Sequence, residues 1–129
     1  MLDEPWGKMI QYERILGLRA TAEVFAGMTA LMSEEKGKCT FAPFWEALSE
    51  NGFAECATLR DANKTLETFG GKTLKLRDAQ LAGKKPAPSR AFSFENIELE
   101  GLPCVEIAVP VFSSSRWIGE LRFIAKRWE

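Results

Sequence analysis

The chain has 129 residues, 46% of them hydrophobic and 27% charged, with 17 Lys+Arg against 18 Asp+Glu. That is enough chain for one continuous core and too little for a core plus a separate catalytic domain. A formal net charge of −1 excludes a polyanion binder held by bulk charge, the mixed composition excludes a disordered or collagenous chain, and the lack of any histidine removes the commonest general base, metal ligand and triad partner together.

Cys39, Cys56 and Cys104 stand far apart, and an odd number cannot close a full disulfide framework, so a reducing compartment is the simpler setting. Charge interrupts every apolar stretch well short of the ~20 residues that span a bilayer. MLDEPWGK lacks the basic start and apolar centre of a signal peptide. The expectation is a soluble, cytoplasmic chain, at most resting on the inner face of a membrane, with Met1 either a native start or a start cut from something larger.

In chain order, residues Glu4 to Lys36 predict one long helix. Asp3 or Glu4 can cap it, Pro5 suits its first turn, and Gly37 is placed to end it in the left-handed conformation. Ile15, Leu18, Ala22 and Phe25 follow three- and four-residue steps, so one side is buried. That side either covers a sheet or forms a homodimer seam. A second helix is expected from Thr40, as its cap, to Gly52, with Phe44, Trp45 and Leu48 as its stripe.

Short strands are expected at Phe53 to Arg60, Thr65 to Phe69 and Thr73 to Arg77, the last two joined by a Gly70-Gly71 hairpin turn. From Asp78 to Arg90 two prolines and no periodicity predict a loop. Phe92 to Glu100 alternates imperfectly. Val105, Ile107, Val109 and Val111 then alternate with Cys104, Glu106, Ala108 and Pro110, FSSSRW turns, and Ile118 to Lys126 returns. Two helices leading into hairpins predict an α+β fold, an antiparallel sheet with the N-terminal helices packed on one face. Residues 1–37 form a linker or dimer helix, and residues 38–129 form the α+β domain.

The segment EIAVPVFSSSRWIGELRF, with Val109-Pro110-Val111 and Ile118-Gly119-Glu120-Leu121, resembles the terminal hairpin of GAF domains. FWEALSENGFAECATLR, with Trp45, Leu48, Gly52 and Phe53, is similar to the helix-to-first-strand passage of the same fold. The order of long helix, W-x-x-L helix, basic loop and E-I-x-V-P-V hairpin also resembles the cytosolic C-terminal extension of some bacterial polyprenyl-phosphate N-acetylaminosugar-1-phosphate transferases. That resemblance implies a GAF-like accessory or regulatory module beside a membrane-embedded transferase portion, with no catalytic residue in this chain. A freestanding small-molecule sensor, lidded by the loop from Asp78 to Arg90, is the alternative. GAF-fold proteins that reduce methionine sulfoxide with paired cysteines suggest a third reading, a thiol-dependent reductase. The wide cysteine spacing here departs from that pattern.

Chemistry-bearing candidates are few. Cys39, between Lys38 and the expected helix start, is the best nucleophile, while Cys56 and Cys104 fall in strands where a thiol behaves as a small hydrophobe. Glu98 with Glu100, and Glu106 with Glu120, share strand faces and are expected to form a solvated surface offset by Arg116 and Arg122. Lys72, Lys75, Arg77, Lys84, Lys85 and Arg90 face the single acid Asp78 and form a candidate patch for an anion or a membrane surface. No stacking aromatics interleave them, so nucleic acid is not an expected partner. No cofactor and no metal are implied. Trp6, Trp117 and Trp128 stand at element ends, where they seal the core or face a partner.

Overall fold

The computed structural model describes residues 4–84 and 86–126, with side chains from residue 16 onward. Helix α1 (Glu4–Lys36) is followed by α2 (Ala42–Glu50), β1 (Cys56–Arg60), β2 (Thr65–Phe69), α3 (Gly71–Leu81), β3 (Ser93–Leu99), β4 (Leu102–Ser113) and β5 (Arg116–Lys126). The strands form one sheet in the order β2-β1-β5-β4-β3, with every neighbouring pair antiparallel. The α+β class expected from the sequence is the fold observed.

The core follows from the period-two pattern of the strands. Ala57, Leu59, Val105, Ile107, Val109, Val111, Leu121 and Phe123 point to one face, where α1 and α2 cover them. Helix α1 presents Ala22, Ala26 and Ala30, side chains short enough to bring its backbone close to the sheet. Phe41, fully buried, sits where the layers meet, its ring 5.5 to 6.0 Å from those of Phe123, Phe69, Phe25 and Phe44. Edge-on and tilted contacts of this kind add about 0.5–1.5 kcal/mol per pair beyond the buried area.

Of the residues placed at a possible dimer seam, Ala22 is buried in this core and Leu18 and Phe25 pack against it, partly buried. Leu16, Val24 and Leu31 of the same helix remain exposed, and the Ile15 side chain lies outside the described residues. Gly37 ends α1 with φ +68, as expected.

Other boundaries differ from expectation. Helix α2 begins at Ala42, with Phe41 at the capping position and no cap from its own side chain. Its N-terminal N–H groups meet a carboxylate from across the fold: Phe41 N and Ala42 N donate to Glu67 Oε1 at 2.6 and 3.3 Å, while the Thr40 hydroxyl donates to Oε2 at 2.6 Å. A tertiary anion thus supplies what Thr40 was expected to supply alone.

The segment from Thr73 to Arg77 is helical, within α3, and the Asp78–Arg90 loop begins only after Leu81. Leu74, Lys75, Leu76 and Arg77 alternate like a strand, but all four are good helix formers, and propensity prevails. Gly70-Gly71 is therefore a helix entry and no hairpin turn. Gly70 has φ +71, and a Cβ there would lie 2.2 Å from the Glu55 carbonyl oxygen, so no side chain fits. The β1–β2 hairpin turns earlier, at Asp61, whose Oδ1 accepts from Asn63 N and Lys64 N, both at 2.8 Å.

Candidate functional site

Helix α3 covers the face of the sheet opposite α1. Leu74 and Leu76 pack on Cys56, Cys104 and Ile124, and beyond this small apolar cluster the face is ionic. The N-terminal helices cover one face as expected, and α3 covers part of the other, which corrects the expectation of a solvated surface there. Glu106 and Glu120, expected in water, are 4% and 0% exposed.

Strand pairing explains how the charges meet. Arg60 of β1 lies opposite Glu120 of β5, and Arg122 stands two residues further along β5 on the same face. Arg60 donates from Nε and Nη2 to Glu120 Oε1 at 3.2 and 2.8 Å. Arg122 donates from Nε and Nη2 to the two oxygens of Glu120 at 3.1 and 2.9 Å, and from Nη1 to Glu106 Oε1 at 2.9 Å. Glu106 of β4 lies directly opposite Glu95 of β3, a like-charge pair that repels unless bridged. Arg77 bridges it from α3, reaching Glu106 through Nε and Nη2, both at 3.1 Å, and Glu95 through Nη2 at 3.2 Å. The result is a ladder of alternating sign across four strands and a helix: Arg60, Glu120, Arg122, Glu106, Arg77, Glu95.

The ladder also holds the connection between α3 and β3, described at residues 82–84 and 86–92, as a strap over the sheet. Arg60 Nη1 donates to the Pro86 carbonyl at 2.9 Å, Ser89 N donates to Glu120 Oε2 at 2.6 Å, and Trp117 Nε1 donates to the Ser89 carbonyl at 3.0 Å. The Arg90 guanidinium stacks on Trp117, 4.1 Å from its ring centre. Burial on its own would raise the Glu120 carboxyl. The hydrogen bonds and charge of Arg122, the Ser89 N–H and Arg60 outweigh burial and hold Glu120 below the ordinary carboxyl range. Burial would likewise lower Arg122, but Glu120 and Glu106 hold it above the usual guanidinium range.

Between α3, the strap and the sheet lies a cavity of about 40 Å³, lined by Cys56, Thr58, Arg60 and Thr68 on one side and by Leu74, Asp78, Leu81 and Pro86 above. Glu106, Arg122 and Ile124 complete its floor. At roughly 10–15 Å³ per water this is room for about three waters, or for one small functional group.

The expected basic patch is divided by the fold. Arg77 turns inward and is buried, Arg90 lies on Trp117, and Lys72, Lys75 and Lys84 stay exposed on the outer side of α3 and the strap. Lys85 lies outside the described residues, as do Trp128 and the side chain of Trp6. Glu98 is exposed on β3, and Glu100 sits at φ +50 in the β3–β4 turn, so these two share no strand face.

Two of the thiols, Cys39 and Cys56, are shifted away from activation. Burial pushes Cys56 up to about 12, and burial followed by the charges of Glu67 and Asp61 raises Cys39. Among the described residues no cluster of three or more acidic or thiol side chains could hold a metal, and no helix is long and apolar enough to cross a membrane.

Sequence reasoning missed Arg60, Thr58 and the strap contact at Pro86.

No protein family profile matches the chain, and no curated protein matches it. Solved structures do. The Vibrio cholerae LuxQ periplasmic domain is similar at a TM-score of 0.57 and 11% identity, over 92% of this chain and 59% of that one. The periplasmic sensory domain of the Campylobacter jejuni chemoreceptor Tlp1 is similar at 0.50 and 12% identity, over 95% of this chain and 57% of that one. The ligand-binding domain of the Pseudomonas aeruginosa PAO1 amino acid chemoreceptor PctC, in complex with GABA, gives 0.49 and 15% identity over 87% of this chain and 56% of that one. The chain therefore spans less than two thirds of each of these structures. The likeness establishes the fold, an α+β arrangement shared with sensor domains. It also corrects the cytoplasmic expectation, since these matches are to periplasmic domains.

Proposed function

We propose that the chain is a non-catalytic sensor module that binds a small molecule between α3, the strap and the sheet, on the extracytoplasmic side of a membrane. The carrying observation is that the side chains walling the cavity also latch its roof: Arg60 lines the cavity and holds Pro86, and its partner Glu120 holds Ser89. A molecule entering there competes with those bonds, so occupancy changes the strap and α3 together. The sensor-domain fold supports the reading, and so do the lack of histidine in the sequence and the raised thiols of Cys39 and Cys56.

The likeness to GAF domains and to a transferase extension rests on the two sequence passages alone, and no observation of the site favours it over a sensor. Thermal melting against a panel of cationic, neutral and anionic metabolites tests the sensor reading. A saturable rise in melting temperature from at least one compound is expected, with amide shifts confined to α3, the strap and β1. A panel without any such compound, or shifts confined to the α1 side, would overturn it.

A further inference from the structure

We infer that the cavity takes the carboxylate of a small aliphatic monocarboxylate, received by Arg60 and Thr58. This rests on the sensor reading and deepens it.

Thr58 is 9% exposed, lines the cavity, and its hydroxyl makes no hydrogen bond among the described residues. A buried hydroxyl normally has a partner, so this one is a vacant donor beside space that can hold an acceptor. Arg60 is the second feature. Its Nε and Nη2 are committed to Glu120, but Nη1 is held only by the neutral carbonyl of Pro86, at 2.9 Å. A carboxylate oxygen makes a hydrogen bond to a guanidinium roughly twice as strong as a neutral acceptor makes, so the Pro86 carbonyl is the ladder's exchangeable contact.

Charge and lining set the class. Three guanidiniums in the layer face two buried carboxylates, because the last member, Glu95, has a side chain 65% exposed to solvent. One incoming negative charge exchanges for the neutral Pro86 carbonyl on Arg60, with the half-buried Asp78 as the cavity's other carboxylate. A second would meet Asp78 across the cavity, where that half-buried carboxylate makes no ion pair among the described residues. Leu74, Leu81 and Ile124 supply an apolar wall for a short aliphatic body. The cavity is half open to solvent, so its inner volume of about 40 Å³ takes the carboxylate group while the short body lies along that apolar wall toward the opening.

The test uses propionate, its neutral isostere propionamide, and succinate, with the chain and its Thr58→Val variant, in which the hydroxyl is replaced by a methyl of similar size. Expected is saturable binding of propionate by calorimetry, with shifts at Thr58, Arg60 and residues 86–89. Affinity should fall about five- to tenfold in Thr58→Val, at an unchanged melting temperature without ligand. Propionamide and succinate should bind at least about tenfold more weakly. An Arg60→Lys variant that still folds should lose most of the preference for propionate over propionamide. Equal binding of propionamide, tighter binding of succinate, or no effect of Thr58→Val on propionate overturns the inference. If propionate fails while a neutral or cationic compound from the panel shifts the same residues, the carboxylate assignment falls and the sensor reading survives. If nothing shifts them, both fall.

Discussion

The two faces of the sheet are closed by different physics. Against α1 and α2 the closure is mainly apolar: Phe41, Phe123 and the alternating apolar strand residues exclude water, and directional bonds such as those of Glu67 to the start of α2 lie at its margin. Against α3 it is ionic, and each guanidinium and carboxylate has been taken out of water at a cost that its partners only offset. Apolar packing of similar volume would hold α3 at least as firmly. What the ladder adds is dependence on pH and salt, because its contacts join charged groups, whereas the core contacts beneath α1 are apolar. The lesson is a division of labour, with one face anchoring the sheet and the other left adjustable.

Four substitutions sharpen or break this contrast. The largest effect is expected at the anchor: Phe41→Ala should cost about 3–5 kcal/mol in urea unfolding, by the same amount at pH 5 and pH 7. A pH-dependent loss there would break the comparison. Next comes Glu120→Gln, which keeps shape and one acceptor but removes the charge, and should cost about 1.5–3 kcal/mol near neutral pH. The folded pKa of Glu120 lies below its unfolded value. Its stabilisation is therefore fully present above about pH 4.5 and is lost as pH falls through the depressed folded value. Melting temperature followed from pH 6 downward should drop more steeply for the parent than for Glu120→Gln, so that the two curves converge in acid.

Smaller effects test the roof itself. Gly70→Ala forces a positive φ and a clash with the Glu55 carbonyl, and should cost about 1–3 kcal/mol, with amide protection in α3 falling ahead of that in α1. Arg90→Ala removes only the stacking on Trp117 and should cost about 0.5–1 kcal/mol, read by a change in Trp117 emission. Were Arg90→Ala to destabilise α1 as much as α3, the strap would not belong to the adjustable face.

Much of the anchor was legible in the sequence and little of the site was. The α1 stripe, Gly37 as its stop and the β4–β5 hairpin are local patterns, each readable from a window of a few residues. The hairpin at Gly70-Gly71 was misread because alternation in residues 73–77 looks like a strand, whereas the steric demand that defines Gly70 comes from Glu55, fifteen positions earlier in the chain. Glu106 and Glu120 were read as solvated because charged strand positions usually are; nothing local reports that α3 lies over them.

By itself, then, the sequence determined the fold class, the long first helix and the apolar face of the sheet, because period and propensity act over neighbouring residues. The tertiary structure decided which carboxylate caps α2, which arginines are buried, and where a vacant hydroxyl meets a cavity. Those depend on pairs such as Arg60 with Glu120 and Arg77 with Glu106, whose partners are brought together only once the strands register and the second helical roof closes.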